Sequence, residues 1–261
     1  MIKSQDQQIK TILKRTGQVS LIILIASVFG MLIHGSNSWC NYIELFDVVN
    51  IQTTGNRILS DQNIFQIANV RIDTSINSIN LSEIQDRLEK NPFIKAAAIS
   101  RKFPNTLNIL ISERVPICYI NHSNLFLVDA EGIILPLPGQ PLGVNLPVIS
   151  GFEHDSLIYY PGYYVPNKHV LDVVNIIHST LLSTPNLYSE ISEINCWKDG
   201  RCILYTIKSG TPIFLGTRDL SDQLNILAHF QNRLQGKRNL SDYQYLDLRW
   251  AKQIVAKERR S

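Results

Sequence analysis

The most constraining feature of this sequence is an apolar run close to its N-terminus. Val19 to Ile33 is apolar except for Ser20 and Ser27, and the flanking residues extend the run to about 20 residues, enough to cross a bilayer. No Lys or Arg follows the run before Arg57, whereas four basic residues precede it: Lys3, Lys10, Lys14 and Arg15. This asymmetry predicts a cytoplasmic tail over residues 1–18, a single transmembrane helix over 19–38 and an extracytoplasmic remainder.

A cleavable signal peptide is the competing interpretation of this segment. A short apolar core is typical of signal peptides, and Ser36-Asn37-Ser38 offers a cleavage site of the small-x-small type. We favour the membrane anchor because the charged region before the core is long and the apolar run can be extended on both flanks.

Composition and charge exclude several classes of function. With 261 residues, 44% of them hydrophobic and 18% charged, the chain can bury a core in one or two domains. The net charge of +3 is small and no long basic run lies outside the termini, so nothing predicts nucleic-acid binding. The four cysteines form no CxxC and the six histidines are far apart, so we predict no metal, cofactor or small-molecule substrate.

The first region after the apolar run, residues 43–114, alternates between strand and helix patterns. A strand ends at Gly55-Asn56, and a first helix can be capped by Ser60 or Asp61. A second helix follows Asn80, with Glu83 at the capping-box distance, and ends before Pro92. Two more strands then flank the turn Phe103-Pro104-Asn105-Thr106. The predicted order is β-α-α-β-β, an α+β fold with two helices on a three-stranded sheet.

Residues 115–256 predict a second, mostly antiparallel β domain with helices. Short strands follow Pro116, one helix begins near Asn167, and another runs from Ser221 to Leu234. Asp129 and Glu131 are two close carboxylates, but both lie in a turn without a partner base, so catalysis is the weaker interpretation. Cys196 and Cys202 flank a tight turn; a disulfide between them and two half-buried thiols both fit the pattern.

The C-terminal segment predicts a final strand followed by a tail. Tyr245 to Trp250 and Ala251 to Ala256 together have the character of one strand, in which Asp247 and Arg249 form a surface ion pair and Leu246 and Leu248 point inward. Residues 257–261 predict a basic, solvated tail.

Several strings resemble the bacterial cell-division family FtsQ/DivIB, in which a POTRA domain precedes a β domain. The resemblance rests on Gly55-Asn56, Asn91-Pro92-Phe93-Ile94, Arg101 to Leu107 with Glu113-Arg114 and Pro116, Asp129 to Gly132, Leu146 to Gly151, and the Asp247-x-Arg249-Trp250 string. It implies a non-catalytic, single-pass scaffold at the division septum of the inner or plasma membrane, which links FtsB and FtsL to septal cell-wall synthesis. Family members pair with FtsB by strand addition near the last strand, which makes interface candidates of Tyr245, Arg249, Trp250, Lys252, Gln253, Ile254 and Val255.

Two other functions compete with this interpretation. A POTRA-bearing transport or secretion component would bind extended polypeptides, but no series of barrel strands follows the second domain. A membrane-anchored hydrolase would need a nucleophile with a base, paired acids or metal ligands, and no G-x-S-x-G or HExxH motif occurs. We therefore expect no enzymatic activity.

Overall fold

The computed structural model describes residues 2–42, 44–139, 141–152, 156–197, 199–217, 220–234, 236–250 and 253–259. The chain forms two compact units. One contains residues 1–53, 69–84 and 99–109, and the other contains residues 54–68, 85–98 and 110–261. The division therefore falls within several of the helices and strands between residues 50 and 113.

A single long helix, α1 (Ile2–Tyr42), begins the chain. Within it, Ser20–Cys40 is long and apolar enough to cross a membrane, with a mean hydropathy of 1.7 and no part of it buried. The exposed rings of Trp39 and Tyr42 lie at its C-terminal end, with their centroids 6.2 Å apart. Aromatic side chains of this kind are typical of the membrane–water interface.

The predicted β-α-α-β-β order is confirmed. The elements are β1 (Asn50–Thr54), α2 (Asp61–Ala68), α3 (Leu81–Glu89), β2 (Ile94–Lys102) and β3 (Thr106–Glu113), and the sheet order is β1-β3-β2. The caps explain where both helices begin. Asn63 N–H donates to Ser60 Oγ at 3.2 Å before α2, and Glu83 N–H donates to Asn80 Oδ1 at 3.4 Å before α3.

The remaining strands form one nine-stranded sheet. They are β4 (Pro116–Asn121), β5 (Leu125–Asp129), β6 (Ile134–Leu135), β7 (Val148–Ser150), β8 (Ile191–Cys196), β9 (Cys202–Thr206), β10 (Pro212–Leu215), β11 (Tyr243–Asp247) and β12 (Val255–Glu258). Their order is β12-β11-β10-β9-β8-β7-β4-β5-β6. Five of the eight neighbouring pairs are antiparallel, so the predicted mostly antiparallel sheet is confirmed.

Helices cover one face of this sheet. They are α4 (Lys168–Ser183), the single turn α5 (Pro185–Tyr188) and α6 (Leu220–Leu234). Asn167 caps α4 by accepting from His169 N–H, and α4 and α6 bury apolar side chains against Ile120, Ile149 and Leu204 of the strands. The opposite face carries half-buried residues, among them Tyr119, Val148, Phe214 and Tyr245. The main core therefore lies on the helical side of the sheet.

A disulfide joins the adjacent ends of β8 and β9. The Sγ atoms of Cys196 and Cys202 are 2.03 Å apart and the Cα atoms 4.1 Å apart, and the two residues are direct cross-strand partners. Cys118, which is buried, and Cys40, which is half-buried, are free thiols.

The prediction of one final strand from Tyr245 to Ala256 is wrong. The chain instead forms the hairpin β11–β12, in which Asp247 lies opposite Val255 and Tyr245 opposite Lys257. The strand ends at Asp247 because its Oδ1 accepts the Arg249 N–H at 3.0 Å, which turns the backbone. Lys257 and Glu258, predicted as tail residues, belong to β12.

Candidate protein-binding edge

Strand β12 is the last strand at one end of the nine-stranded sheet. All four of its residues are exposed, and in the part of the chain that the structure describes no strand lies on its outer side. An open edge of this kind presents backbone donors and acceptors that a strand from another chain can satisfy.

Two hydrogen bonds identify which backbone groups of β12 face outward. Leu248 N–H donates to Phe214 O on the β10 side of β11, so by alternation Tyr245 and Asp247 direct their backbone groups to β12. Arg259 N–H donates to Asp242 O, which places the backbone groups of Lys257 and Val255 toward β11. The N–H and C=O groups of Ala256 and Glu258 therefore face away from the sheet.

The far end of β12 is fixed without covering this edge. Arg259 Nε donates to Tyr243 O at 3.1 Å, and its Nη2 donates to Ser209 O at 2.9 Å. Arg238 forms an ion pair with Glu258. These contacts hold β12 in place against β11, so the edge is pre-formed.

An aromatic and cationic cluster lies beside the edge, on the face without helices. The rings of Phe214 and Tyr245 meet edge to face with centroids 6.0 Å apart, and Arg249 Cζ lies 5.3 Å from the Phe214 centroid. The Trp250 side chain follows and is 59% exposed. Exposed Trp, Tyr and Arg side chains are the residue types that most often dominate the energy of a protein interface.

The Asp247 carboxylate orients Arg249. Asp247 Oδ2 accepts from Arg249 Nη2 at 2.6 Å, and Oδ1 accepts from Arg249 Nε at 2.9 Å. These bonds lower the pKa of Asp247, with a smaller contribution of the same sign from the Trp250 side chain, and raise the pKa of Arg249. The two partners of the predicted surface ion pair differ in exposure. The Asp247 side chain is only 9% exposed, whereas that of Arg249 is 55% exposed.

The opposite edge of the sheet is closed by the chain itself. Strand β6 is followed in space by the segment Gly162 to Val165, where Gly162 N–H donates to Ile134 O at 2.8 Å and Ile134 N–H donates to Tyr163 O at 2.9 Å. Val165 N–H donates to Gly132 O at 2.9 Å. The backbone groups of β6 are thus already bonded.

The structure distributes the predicted interface residues over several positions. Tyr245 lies on β11, Arg249 and Trp250 lie in the turn after it, and Val255 begins β12. Gln253 is exposed, whereas Ile254 is half-buried and packs against the main core. Lys252 lies outside the described residues. Sequence reasoning missed Phe214, Ala256 and Glu258, because their roles depend on the parallel β10–β11 register and on the hairpin.

The carboxylates of Asp129 and Glu131 are occupied by hydrogen bonds and ion pairs. Asp129 Oδ1 accepts from the backbone N–H groups of Glu131 and Ile133, as the turn interpretation predicts, and Arg114 contacts both carboxylates. Within the described ranges, no group of three or more His, Cys, Asp or Glu residues is placed to hold a metal ion.

Comparison with known proteins covers most of the sequence that follows the apolar helix. Residues 46–114 match the family of FtsQ-type POTRA domains, and residues 118–249 match the C-terminal domain of the cell division protein FtsQ/DivIB. The chain is 28% identical to cell division protein FtsQ of Geotalea daltonii, over 95% of this chain and 88% of that protein. It is 30% identical to FtsQ of a Geobacter species (77% and 72% covered) and 26% identical to DivIB of Clostridium acetobutylicum (72% and 76% covered).

Proposed function

The chain belongs to the FtsQ/DivIB family of bacterial cell-division proteins, and on that premise we propose that it is a non-catalytic scaffold of the divisome. It would link FtsB and FtsL to septal peptidoglycan synthesis through protein contacts alone. The observation that carries this proposal is the open β12 edge with Ala256 and Glu258 facing outward.

Strand addition accounts for how FtsB would bind. A strand of FtsB that pairs with β12 would satisfy the outward N–H and C=O groups and become a tenth strand of the sheet. Tyr245, Arg249 and Trp250 would then supply the side-chain anchors beside it, because they lie close to the edge and remain accessible.

Membrane attachment supports the same role. The family and the apolar stretch Ser20–Cys40 together indicate a membrane-anchored protein. In the proposed arrangement residues 1–18 are cytoplasmic and the two domains are extracytoplasmic at the septum, where FtsB and FtsL also present their extracytoplasmic segments. Tethering all three to one membrane raises their effective concentration, so a modest contact area suffices.

Neither the transport function nor the hydrolase function is supported by a specific observation on the described residues. The transport alternative is disfavoured because residues 118–249, which follow the POTRA domain, match the C-terminal domain of the cell-division family. A hydrolase that used paired acids would need them free to act, whereas the close carboxylates Asp129 and Glu131 are both engaged by Arg114.

Binding of the extracytoplasmic segment of the cognate FtsB to the full chain in lipid nanodiscs tests the proposal. Tyr245→Ala and Trp250→Ala should each weaken binding about tenfold or more, because both remove an aromatic anchor beside the edge. Calorimetry or surface plasmon resonance gives the dissociation constants, and circular dichroism verifies that each variant is folded.

Trp197→Ala is the matched control, since Trp197 is an exposed Trp in the β8–β9 turn of the same sheet. It should bind FtsB as the wild type does. Absence of wild-type binding at high micromolar concentration, or equal loss in all three variants, would overturn the proposed edge.

A further inference from the structure

Glu113, the last residue of strand β3, and Arg114, which follows it, are charged and contact two different parts of the chain. Glu113 reaches the segment before α2, and Arg114 reaches the β5–β6 turn of the nine-stranded sheet. The function proposed above uses neither residue, and all of their contacts lie within the compact unit that contains residues 54–68, 85–98 and 110–261.

Glu113 accepts three consecutive backbone hydrogen bonds. Its Oε2 accepts from Arg57 N–H at 2.8 Å and from Ile58 N–H at 2.7 Å, and its Oε1 accepts from Leu59 N–H at 2.8 Å. Backbone N–H groups in a row form a concave anion site, and bonds to a charged acceptor are the stronger kind. The carboxylate therefore fixes the chain between β1 and α2 to the end of β3.

Arg114 makes the complementary contacts. Its Nη1 donates to Asp129 Oδ2 at 2.7 Å and to Glu131 Oε2 at 2.8 Å, and its backbone N–H donates to Phe93 O at 2.8 Å. Lys95 Nζ also contacts Glu131 Oε1 at 2.5 Å. Burial alone would lower the pKa of Arg114, but the two carboxylates outweigh it and the pKa is raised.

An apolar cluster accompanies these polar contacts. Phe93, just before the POTRA strand β2, is buried with Leu127 of β5, Leu135 of β6 and Ile133, the residue before β6. Ile58 and Leu59, whose N–H groups bind Glu113, pack against the same cluster. The contact between the segment before α2, the start of β2 and the β5–β6 turn thus combines buried apolar surface with the charged hydrogen bonds of Glu113 and Arg114.

We propose that Glu113-Arg114 is a rigid joint that makes α2, the start of β2 and the nine-stranded sheet one mechanical body. The boundary at residues 115–117, where the two matched families meet, is then not a hinge. A partner that binds α2 is held at a fixed position relative to the nine-stranded sheet. This inference holds whether or not β12 binds a strand.

Hydrogen exchange of the full chain in nanodiscs, followed by mass spectrometry, tests the joint. If the joint is rigid, a substitution that breaks the contacts on one side should speed amide exchange on the other side. Arg114→Met should speed exchange of the amides of residues 57–59, which Arg114 does not contact, about tenfold. Glu113→Gln should do the same at the amides of Glu131 and Ile133, which donate to Asp129. The amides of α4 are the internal reference and should not change.

Arg201→Met is the matched control, because the ion pair of Arg201 with Asp199 lies within one exposed turn. It should leave exchange on both sides of the joint unchanged. If Arg114→Met affects only residues 127–135 and Glu113→Gln only residues 57–59, the contacts are independent and the proposal is overturned. If a variant also speeds exchange in α4, the milder substitution Glu131→Gln is used instead. It weakens the exposed ion pairs of Glu131 with Arg114 and Lys95 and leaves the Arg114–Asp129 contact in place. Faster exchange at residues 57–59 in this variant supports the joint, and unchanged exchange there overturns it.

Discussion

The two edges of the nine-stranded sheet differ in how their backbone groups are satisfied. Strand β6 is apolar, fully buried and bonded to the returning segment Gly162 to Val165. Strand β12 consists of Val-Ala-Lys-Glu, is exposed along its length, and has no strand beyond it among the described residues. Charged side chains on an open edge discourage unspecific pairing, whereas an apolar edge must be covered. One edge of the sheet therefore has outward backbone groups that a further strand could satisfy, whereas the other edge is closed by the chain itself.

The substitution Ala256→Pro should have the largest effect on binding at the open edge. The Ala256 N–H faces outward, so Ala256→Pro removes one donor to an added strand and places the ring where that strand would lie. We expect FtsB binding to weaken roughly 100-fold with little change in the melting temperature of the chain. Titration calorimetry and thermal unfolding measure the two effects.

Val255→Pro is the control for Ala256→Pro, because the Val255 N–H faces β11. It should lower the melting temperature by disrupting the hairpin. Equal losses of stability in the two variants would show that the assignment of inner and outer groups is wrong.

Opening the β6 edge should have the next largest effect. Gly162 has φ +90° and its N–H caps β6, so Gly162→Val strains the backbone and loosens the cap. We expect a loss of about 2 kcal/mol in the free energy of unfolding, together with concentration-dependent self-association. Chemical denaturation and light scattering measure these.

Gly143→Val separates strain from capping. Gly143 has φ +71°, and a Cβ there would meet open space. This variant should lose stability without self-association. Association of both variants to the same extent would contradict the view that the Gly162 segment protects an edge.

Removal of the Arg249 side-chain charge should have a smaller effect at the open edge. Arg249→Met breaks the ion pair with Asp247 and the contact with the Phe214 ring, and we expect FtsB binding to weaken about fivefold. Arg249→Lys should fall between wild type and Arg249→Met, because Lys keeps the charge but not the two-pronged geometry. Stronger binding by Arg249→Met than by Arg249→Lys would exclude a role for the cation.

Lowering the pH should have the smallest effect, which is on the stability of the fold. The hydrogen bond from Arg249 holds the pKa of Asp247 below its usual value near 3.8, so the ion pair stabilises the fold above that pH and is lost as the pH falls through the lowered pKa. We expect less than about 1 kcal/mol, because Arg249 is largely exposed. Asp247→Asn should be less stable than the wild type at about pH 6, and the difference in melting temperature should narrow as the pH is lowered toward about 2. A constant difference across this range would contradict the assignment.

Local signals in the sequence were sufficient for the POTRA domain but not for the open edge. The caps Ser60 and Asn80 and the turn at Phe103 to Thr106 act over a few residues, so their positions could be predicted. The hairpin could not, because the segment from Tyr245 to Ala256 has strand character throughout and only the Asp247 side chain shows where it turns. Contacts such as Glu113 with Arg57 join residues 56 positions apart, and no periodicity reports them.

The most direct test of the open edge is the amide exchange of β12 with and without the extracytoplasmic segment of FtsB, resolved by nuclear magnetic resonance. Strand addition predicts that saturating FtsB slows exchange at Ala256 and Glu258 at least tenfold and changes Val255 and Lys257, which already face β11, much less. Unchanged exchange at Ala256 and Glu258 while FtsB is bound would show that the partner uses another surface.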